Sequence, residues 1–186
     1  MLREKSSAIL KVLVCLLIMG NQAAAGGYKV KSSDVLVPQG VPMGKYRRII
    51  HPFENWILIC DENLKTRRKV CNISQTFTDE TGAQVFSWSL AANVDGKPFM
   101  ILRAPAVIGA GSKISLKLAG IDRDVDVEVK ACDASICIGY QPVGPILRQQ
   151  IGKETTAKVS YFMSSGENVS IDAPFKGLAA ALSAIK

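Results

Sequence analysis

The chain has 186 residues, 48% of them hydrophobic and 6% aromatic, with a formal charge of +7. That length builds one domain with a real core, and neither an internal repeat nor a second domain is visible. So few aromatics exclude a small transmembrane β-barrel, whose strands of about 9–11 residues end in aromatic girdles.

Residues 1–25, MLREKSSAILKVLVCLLIMGNQAAA, carry the three parts of a secretory signal peptide. Arg3, Lys5 and Lys11 supply the charged start, an apolar run over 12–19 follows, and three alanines prepare cleavage between Ala25 and Gly26. A bilayer-spanning helix needs roughly 20 apolar residues, and this run is about half that. Val14 stands where a lipid-attachment box needs Gly or Ala, so Cys15 reads as a signal residue removed with the rest. No later segment is long and apolar enough to span a bilayer. The reading is an exported chain with no transmembrane span in its mature form. It resides in the periplasm, peripherally on the envelope, on the cell surface or outside the cell.

Residues 26–52, rich in glycine, proline and charge with no sustained period, read as an extended N-terminal arm. The arm is either a disordered leader or a tether. From residue 53 to 186 the pattern becomes one domain of short strands between turn signals. WILIC (56–60) is apolar on both faces, as a central strand is. VCNISQTF (70–77) alternates, with Cys71, Ile73 and Phe77 on one side. QVFSWSLAA (84–92), a turn on Asp95-Gly96, and FMILRA (99–104) follow. KISLKL (113–118) places Ile114, Leu116 and Leu118 inward, and RDVDVEVKAC (123–132) and ICIGYQP (136–142) flank a tight turn. TTAKVSYFM (155–163) and NVSIDAP (168–174) complete the strands. Short helices are predicted over 144–152 and at the C-terminus, where Leu178, Leu182 and Ile185 share a face. Strands at this spacing predict an all-β antiparallel sandwich.

Without the signal, four cysteines remain: Cys60, Cys71, Cys132 and Cys137. An even number in an oxidising compartment predicts two disulfides. Of the three pairings, the local one is favoured by geometry. Cys132 and Cys137 oppose each other across a tight hairpin, and Cys60 and Cys71 do so at the base of a longer one. In that register Glu62 lies opposite Lys69 as a cross-strand ion pair. Each ring stabilises the fold by roughly 2–3 kcal/mol. Zinc sites typically use C-x2-4-C pairs, often with histidines, and His51 is the only histidine. A four-thiolate site is the alternative, which an oxidising setting disfavours. A C-x-x-C redox pair is absent.

No hydrolase elbow, zinc-protease helix or P-loop is present, and no cofactor or metal is implied. The segment GAGSK (109–113) reads as a turn before a strand. Asp124, Asp126 and Glu128 make an acidic strand face without the glycine and spacing of a calcium loop. Charge is more informative. Residues 1–25 carry +2 of the formal +7, leaving +5 on the remainder. Lys45, Arg47 and Arg48 form one cluster, and Lys65, Arg67, Arg68 and Lys69 form another inside the loop closed by Cys60 and Cys71. A tied basic loop suits an anionic lipid or glycan surface. Nucleic acid suits the charge equally but not the compartment, so no nucleic-acid partner is expected.

Three stretches carry a resemblance: ENWILICDENLKTRRKVCNISQTF, VEVKACDASICIGY and DAPFKGLAAALSAIK. A tryptophan strand leads to the first cysteine, and a basic loop leads to the second, with Gln75 four residues on. A C-x4-C hairpin and an aromatic-Lys-Gly segment before a terminal helix complete the pattern. From about residue 53 to the end, the chain resembles the invasion-associated locus B family of Gram-negative α-proteobacteria, its Bartonella-type members above all. The resemblance implies an immunoglobulin-like β-sandwich and an envelope or secreted virulence factor linked to entry into host cells, including erythrocytes. It carries over no catalytic residues, and it gives the four cysteines and Gly177 structural roles. A non-enzymatic binding or envelope role is the reading that follows, with an unknown host-cell or envelope component as partner. The rival is a periplasmic structural or chaperone-like module that affects invasion indirectly; a hydrolase with an unrecognised site is a third class. Surface labelling of intact cells separates the first two.

Overall fold

The computed structural model describes residues 44–92 and 95–185; the signal segment, its Ala25–Gly26 junction and most of the arm lie outside them. Ten strands follow in chain order: β1 (Tyr46–Pro52), β2 (Ile57–Asn63), β3 (Lys69–Thr78), β4 (Gln84–Ala92), β5 (Pro98–Pro105), β6 (Lys113–Lys117), β7 (Val125–Cys132), β8 (Ile136–Pro142), β9 (Thr156–Phe162) and β10 (Asn168–Pro174). Helix α1 (Pro145–Gly152) sits between β8 and β9, and α2 (Leu178–Ser183) follows β10. The strand order is β1-β2-β3-β4-β5-β8-β7-β6-β9-β10, with every pairing antiparallel.

Alternation decides which face of each strand is buried. On β2, Leu58, Cys60 and Glu62 point inward; on β6, Ile114 and Leu116 do so, with Leu118 just beyond. The sheet turns back on itself at β7. That strand pairs with β6 over its first half and with β8 over its second, and its register slips between Val129 and Ala131. An irregularity of this kind bends a strand and increases its twist. Strands β9 and β10 thereby face β3 and β4 across the core, as a sandwich requires. The Tyr161 hydroxyl on β9 donates to the Val85 carbonyl on β4 at 2.6 Å, and burial pushes its pKa up to about 12.

The densest part of the core is aromatic. Trp56, Trp88 and Phe175 stack in series, with centroids 5.7 and 5.2 Å apart, and Phe86 meets Trp88 edge-on at 5.8 Å. Each indole N–H is satisfied. Trp56 Nε1 donates to the Pro174 carbonyl at 3.2 Å, and Trp88 Nε1 donates to Gln75 Oε1 at 2.7 Å. Gln75 Nε2 in turn donates to the same Pro174 carbonyl at 3.2 Å. One buried glutamine thus joins β3, β4 and the end of β10. The Phe175-Lys176-Gly177 segment then closes over the start of β2. The Lys176 carbonyl accepts from Asn55 Nδ2 at 3.2 Å, and Lys176 Nζ lies 2.9 Å from Glu54 Oε1. Gly177 has φ 92°, and a Cβ there would lie 3.3 Å from the Glu54 amide nitrogen. Only glycine meets both conditions without strain.

Two expectations change. Residues 46–52 are not part of an unpacked arm: Tyr46–Pro52 is the edge strand β1, paired with β2 from Tyr46↔Asn63 to Pro52↔Ile57. Its polar, proline-ended sequence hides a strand whose stability comes from its neighbour. The C-terminal helix is also shorter than predicted. It buries Leu178 and Ala181, three apart on one face, while Leu182 and Ile185 remain exposed.

Replacing Gln75 with leucine leaves the Trp88 N–H buried without an acceptor, and such a group costs about 1–3 kcal/mol. Equilibrium denaturation of Gln75→Leu should show a loss of about 2 kcal/mol. In a Trp88→Phe background, where that donor is gone, the same change should cost measurably less. Equal costs in the two backgrounds would contradict the network.

Candidate functional site

The tip of the β2–β3 hairpin is built from its disulfide outward. Cys60 and Cys71 are directly opposed and bonded, with Cα atoms 4.0 Å apart. Cys132 and Cys137 are bonded in the same way at the β7–β8 turn, also 4.0 Å apart at Cα. Beyond the first staple the hairpin continues through Asp61↔Val70 and Glu62↔Lys69 before turning. The turn is tightly held. Asn63 Oδ1 accepts from the Lys65 and Thr66 amides at 3.0 and 3.1 Å, and the Asn63 carbonyl accepts from the Arg67 amide at 2.8 Å. Arg67 occupies the left-handed region at φ 60°, which costs a non-glycine residue some strain.

Strand β1 brings the second cationic cluster to the same place. The Leu64 amide donates to the Lys45 carbonyl at 2.9 Å, so the start of β1 lies against the hairpin tip. Lys45, Arg47, Arg48, Lys65, Arg67, Arg68 and Lys69 therefore share one end of the sheet, with Asp61 and Glu62 as the acids among them. Lys65, Arg67, Arg68 and Lys69 are all exposed.

Glu62 organises this end. It is only 4% exposed, so its charge requires partners. Arg47 supplies two hydrogen bonds to Oε2, from Nε at 3.1 Å and Nη2 at 2.5 Å. Arg67 Nη1 approaches Oε1 at 3.5 Å. The Arg47 hydrogen bonds, reinforced by its charge and by Arg67, outweigh burial and hold the Glu62 carboxyl below its ordinary range. The predicted register of Glu62 against Lys69 is present, but the ion pair goes elsewhere. The carboxylate lies on the inward face, where guanidinium groups from β1 and the turn reach it. Beside it, Arg48 grips Asp61 with Nε at 2.8 Å and Nη2 at 2.9 Å. Lys65, Arg68 and Lys69 make no ion pair among the described residues.

The remaining candidates are engaged locally. Asp126 accepts from Lys113 at 3.2 Å and from Ser115 at 3.1 Å, and Glu128 pairs with Lys130. Among the described residues no group of three or more His, Cys, Asp or Glu converges to hold a metal. His51 is exposed on the edge strand. An open groove of about 780 Å³ lies over the β6–β7 turn, lined by Lys117, Lys158 and Asp172 among others. Lys158 there is already paired with Asp172 at 2.7 Å. Among the described residues no helix is long and apolar enough to cross a membrane.

The family model described as "Invasion associated locus B (IalB) protein" matches residues 56–186. Strand β1, with Arg47 and Arg48, lies outside that match. Among solved structures, the chain is similar to the crystal structure of invasion associated protein B from Bartonella henselae. The TM-score is 0.60 at 15% identity, over 73% of this chain and 92% of that one. At that identity the likeness establishes the shared fold. No curated protein sequence matches the chain.

The lowered pKa of Glu62 has a sign that can be tested. A carboxyl titrating lower in the folded state contributes stability above its unfolded pKa, about 4.3, and loses it as pH falls through the folded value. The stability difference between the natural chain and Glu62→Gln, measured from neutral pH downward, should therefore hold steady and then shrink in acid. A difference that stays constant into strong acid would show that Glu62 is not ionised against Arg47.

Proposed function

The chain belongs to the invasion-associated locus B family, and on that basis we propose that it is an exported bacterial virulence factor. It promotes entry into host cells, erythrocytes included, by binding rather than catalysis, with the basic end of β1–β3 as its contact surface. Disulfides in small exported domains persist where the compartment is oxidising, which supports export to the periplasm, envelope surface or medium. The binding reading is favoured because all four described cysteines are used as staples and the lone histidine is an isolated surface residue.

One observation carries the proposal. Two cationic runs separated in sequence converge on a hairpin tip held by a disulfide, by side-chain caps and by the Glu62 pairs. Tying and capping the loop before it binds lowers the ordering entropy lost on docking. Each cation near an anionic surface contributes about 1 kcal/mol, and salt weakens it within a Debye length of about 8 Å. Arg47 and Arg67 are committed to Glu62 and Arg48 to Asp61, so Lys65, Arg68 and Lys69, with Lys45 at the start of β1, are the charges available to a partner. The partner is an anionic host-cell or envelope surface.

Lys65→Ser combined with Arg68→Ser removes two of those charges and leaves the Glu62 pairs intact. Binding of the full mature protein to host cells should fall roughly tenfold or more, with a shallower salt dependence. Its thermal transition should hardly move, since exposed loop substitutions usually cost under about 0.5 kcal/mol. Unchanged binding at low salt, with the transition intact, would remove the tip from the mechanism.

A further inference from the structure

Two apolar side chains stand among the cations. Leu64 and Val70 bracket the run Lys65–Lys69, and both are exposed, Leu64 by 41% and Val70 by 73%. Every residue from 64 to 70 is exposed, so the tip of the hairpin is a seven-residue projection, apolar at its ends and cationic between them. A soluble polyanion gains little from those two aliphatic groups. A bilayer interface takes both kinds, cations at the headgroups and aliphatic groups at the acyl boundary.

The amides of the turn suit that environment as well. A segment entering the membrane interface loses water from its amides, so they need internal partners. All five amides of the turn have them. Leu64 donates to the Lys45 carbonyl, Lys65 and Thr66 to Asn63 Oδ1, Arg67 to the Asn63 carbonyl, and Arg68 to Thr66 Oγ1 at 3.5 Å. Val70 lies within the β2–β3 ladder, opposite Asp61. The amides of the turn are therefore already bonded within the protein, which lowers the cost of taking them out of water.

We infer that the β2–β3 tip is a peripheral membrane-docking element whose partner is an anionic lipid bilayer, with Leu64 and Val70 entering the interface between the cations. This rests on the binding role of the basic end proposed above and narrows its anionic partner from a charged surface in general to lipid. The association is reversible, because two aliphatic groups and three or four cations are far less than a spanning helix provides.

The test uses the full mature protein and three probes: phosphatidylcholine vesicles, the same vesicles with about a quarter phosphatidylglycerol, and soluble heparin. Leu64→Ser/Val70→Ser should bind the phosphatidylglycerol vesicles about tenfold more weakly than the natural chain and bind heparin equally well. Lys65→Ser/Arg68→Ser should weaken both. Neutral vesicles should bind little in every case. A tryptophan at the tip gives an independent reading, since Trp56 and Trp88 are buried. The Leu64→Trp chain should be quenched by brominated acyl chains in the anionic vesicles. If the apolar pair can be removed without changing vesicle affinity, or if the new tryptophan is not quenched, the bilayer assignment is overturned and the electrostatic reading stands. If the apolar variant loses heparin and vesicle binding alike, the two side chains shape the tip and the assignment also falls. If neither variant alters binding to any probe, the basic end itself is not the contact surface.

Discussion

The fold depends on a single backbone carbonyl. Pro174, the last residue of β10, accepts from Trp56 and Gln75, and Gln75 accepts from Trp88. Four polar groups that would each be costly to bury alone are thereby satisfied together, inside the stack of Trp56, Trp88 and Phe175. Apolar burial supplies attraction between the layers but no register, because a hydrophobic surface accepts many offsets. The carbonyl accepts only where the indole and the amide both reach it. The network therefore fixes where the end of the chain docks on the start of the domain, and Gly177 allows the chain to turn there.

A second buried polar group shapes the surface. Burying Glu62 on its own would be unfavourable, and its partners arrive from two directions: Arg47 from the edge strand and Arg67 from the turn. Such a buried charge is weak evidence of net stability but good evidence of specific arrangement. It aligns β1 on β2 and folds one arginine of the turn back onto the sheet. The neighbouring cations, Lys65, Arg68 and Lys69, are left facing solvent. The edge strand gains as well, since its charges and terminal proline discourage pairing with another chain.

Function and framework thus divide along the hairpin. Below the tip, the Cys60–Cys71 bridge and the inward faces of β2 and β3 belong to the core. Above it, the Asn63 caps, the Leu64–Lys45 hydrogen bond and the Arg67–Glu62 pair hold the turn. A surface can change its charge or apolar content at such a tip without disturbing the layers beneath it. The Bartonella henselae protein keeps the same fold at only 15% identity.

Most of the strands were legible in the sequence because alternation is a local property. Ile114 and Leu116 face inward in KISLK whatever strand lies beside them, and the opposed cysteines follow from hairpin geometry in the same way. The import of Gln75 was visible only as part of a family pattern, since alternation placed it among core residues without naming its partners. Strand β1 was not legible. YRRIIHP has no pattern of its own, and its extended form comes from pairing with β2 and from Arg47 and Arg48 meeting Glu62 and Asp61. The same contacts decided the candidate site. Local pattern was enough for the two staples, the layered β architecture and a basic loop. That the loop and the distant Lys45–Arg48 run form one surface, and which of its charges remain available, came from the packing of β1 on β2 and the hairpin tip. The reason is physical: periodicity and turn chemistry act between near neighbours in the chain, whereas a buried charge selects its partners from whatever folding brings within a few ångströms.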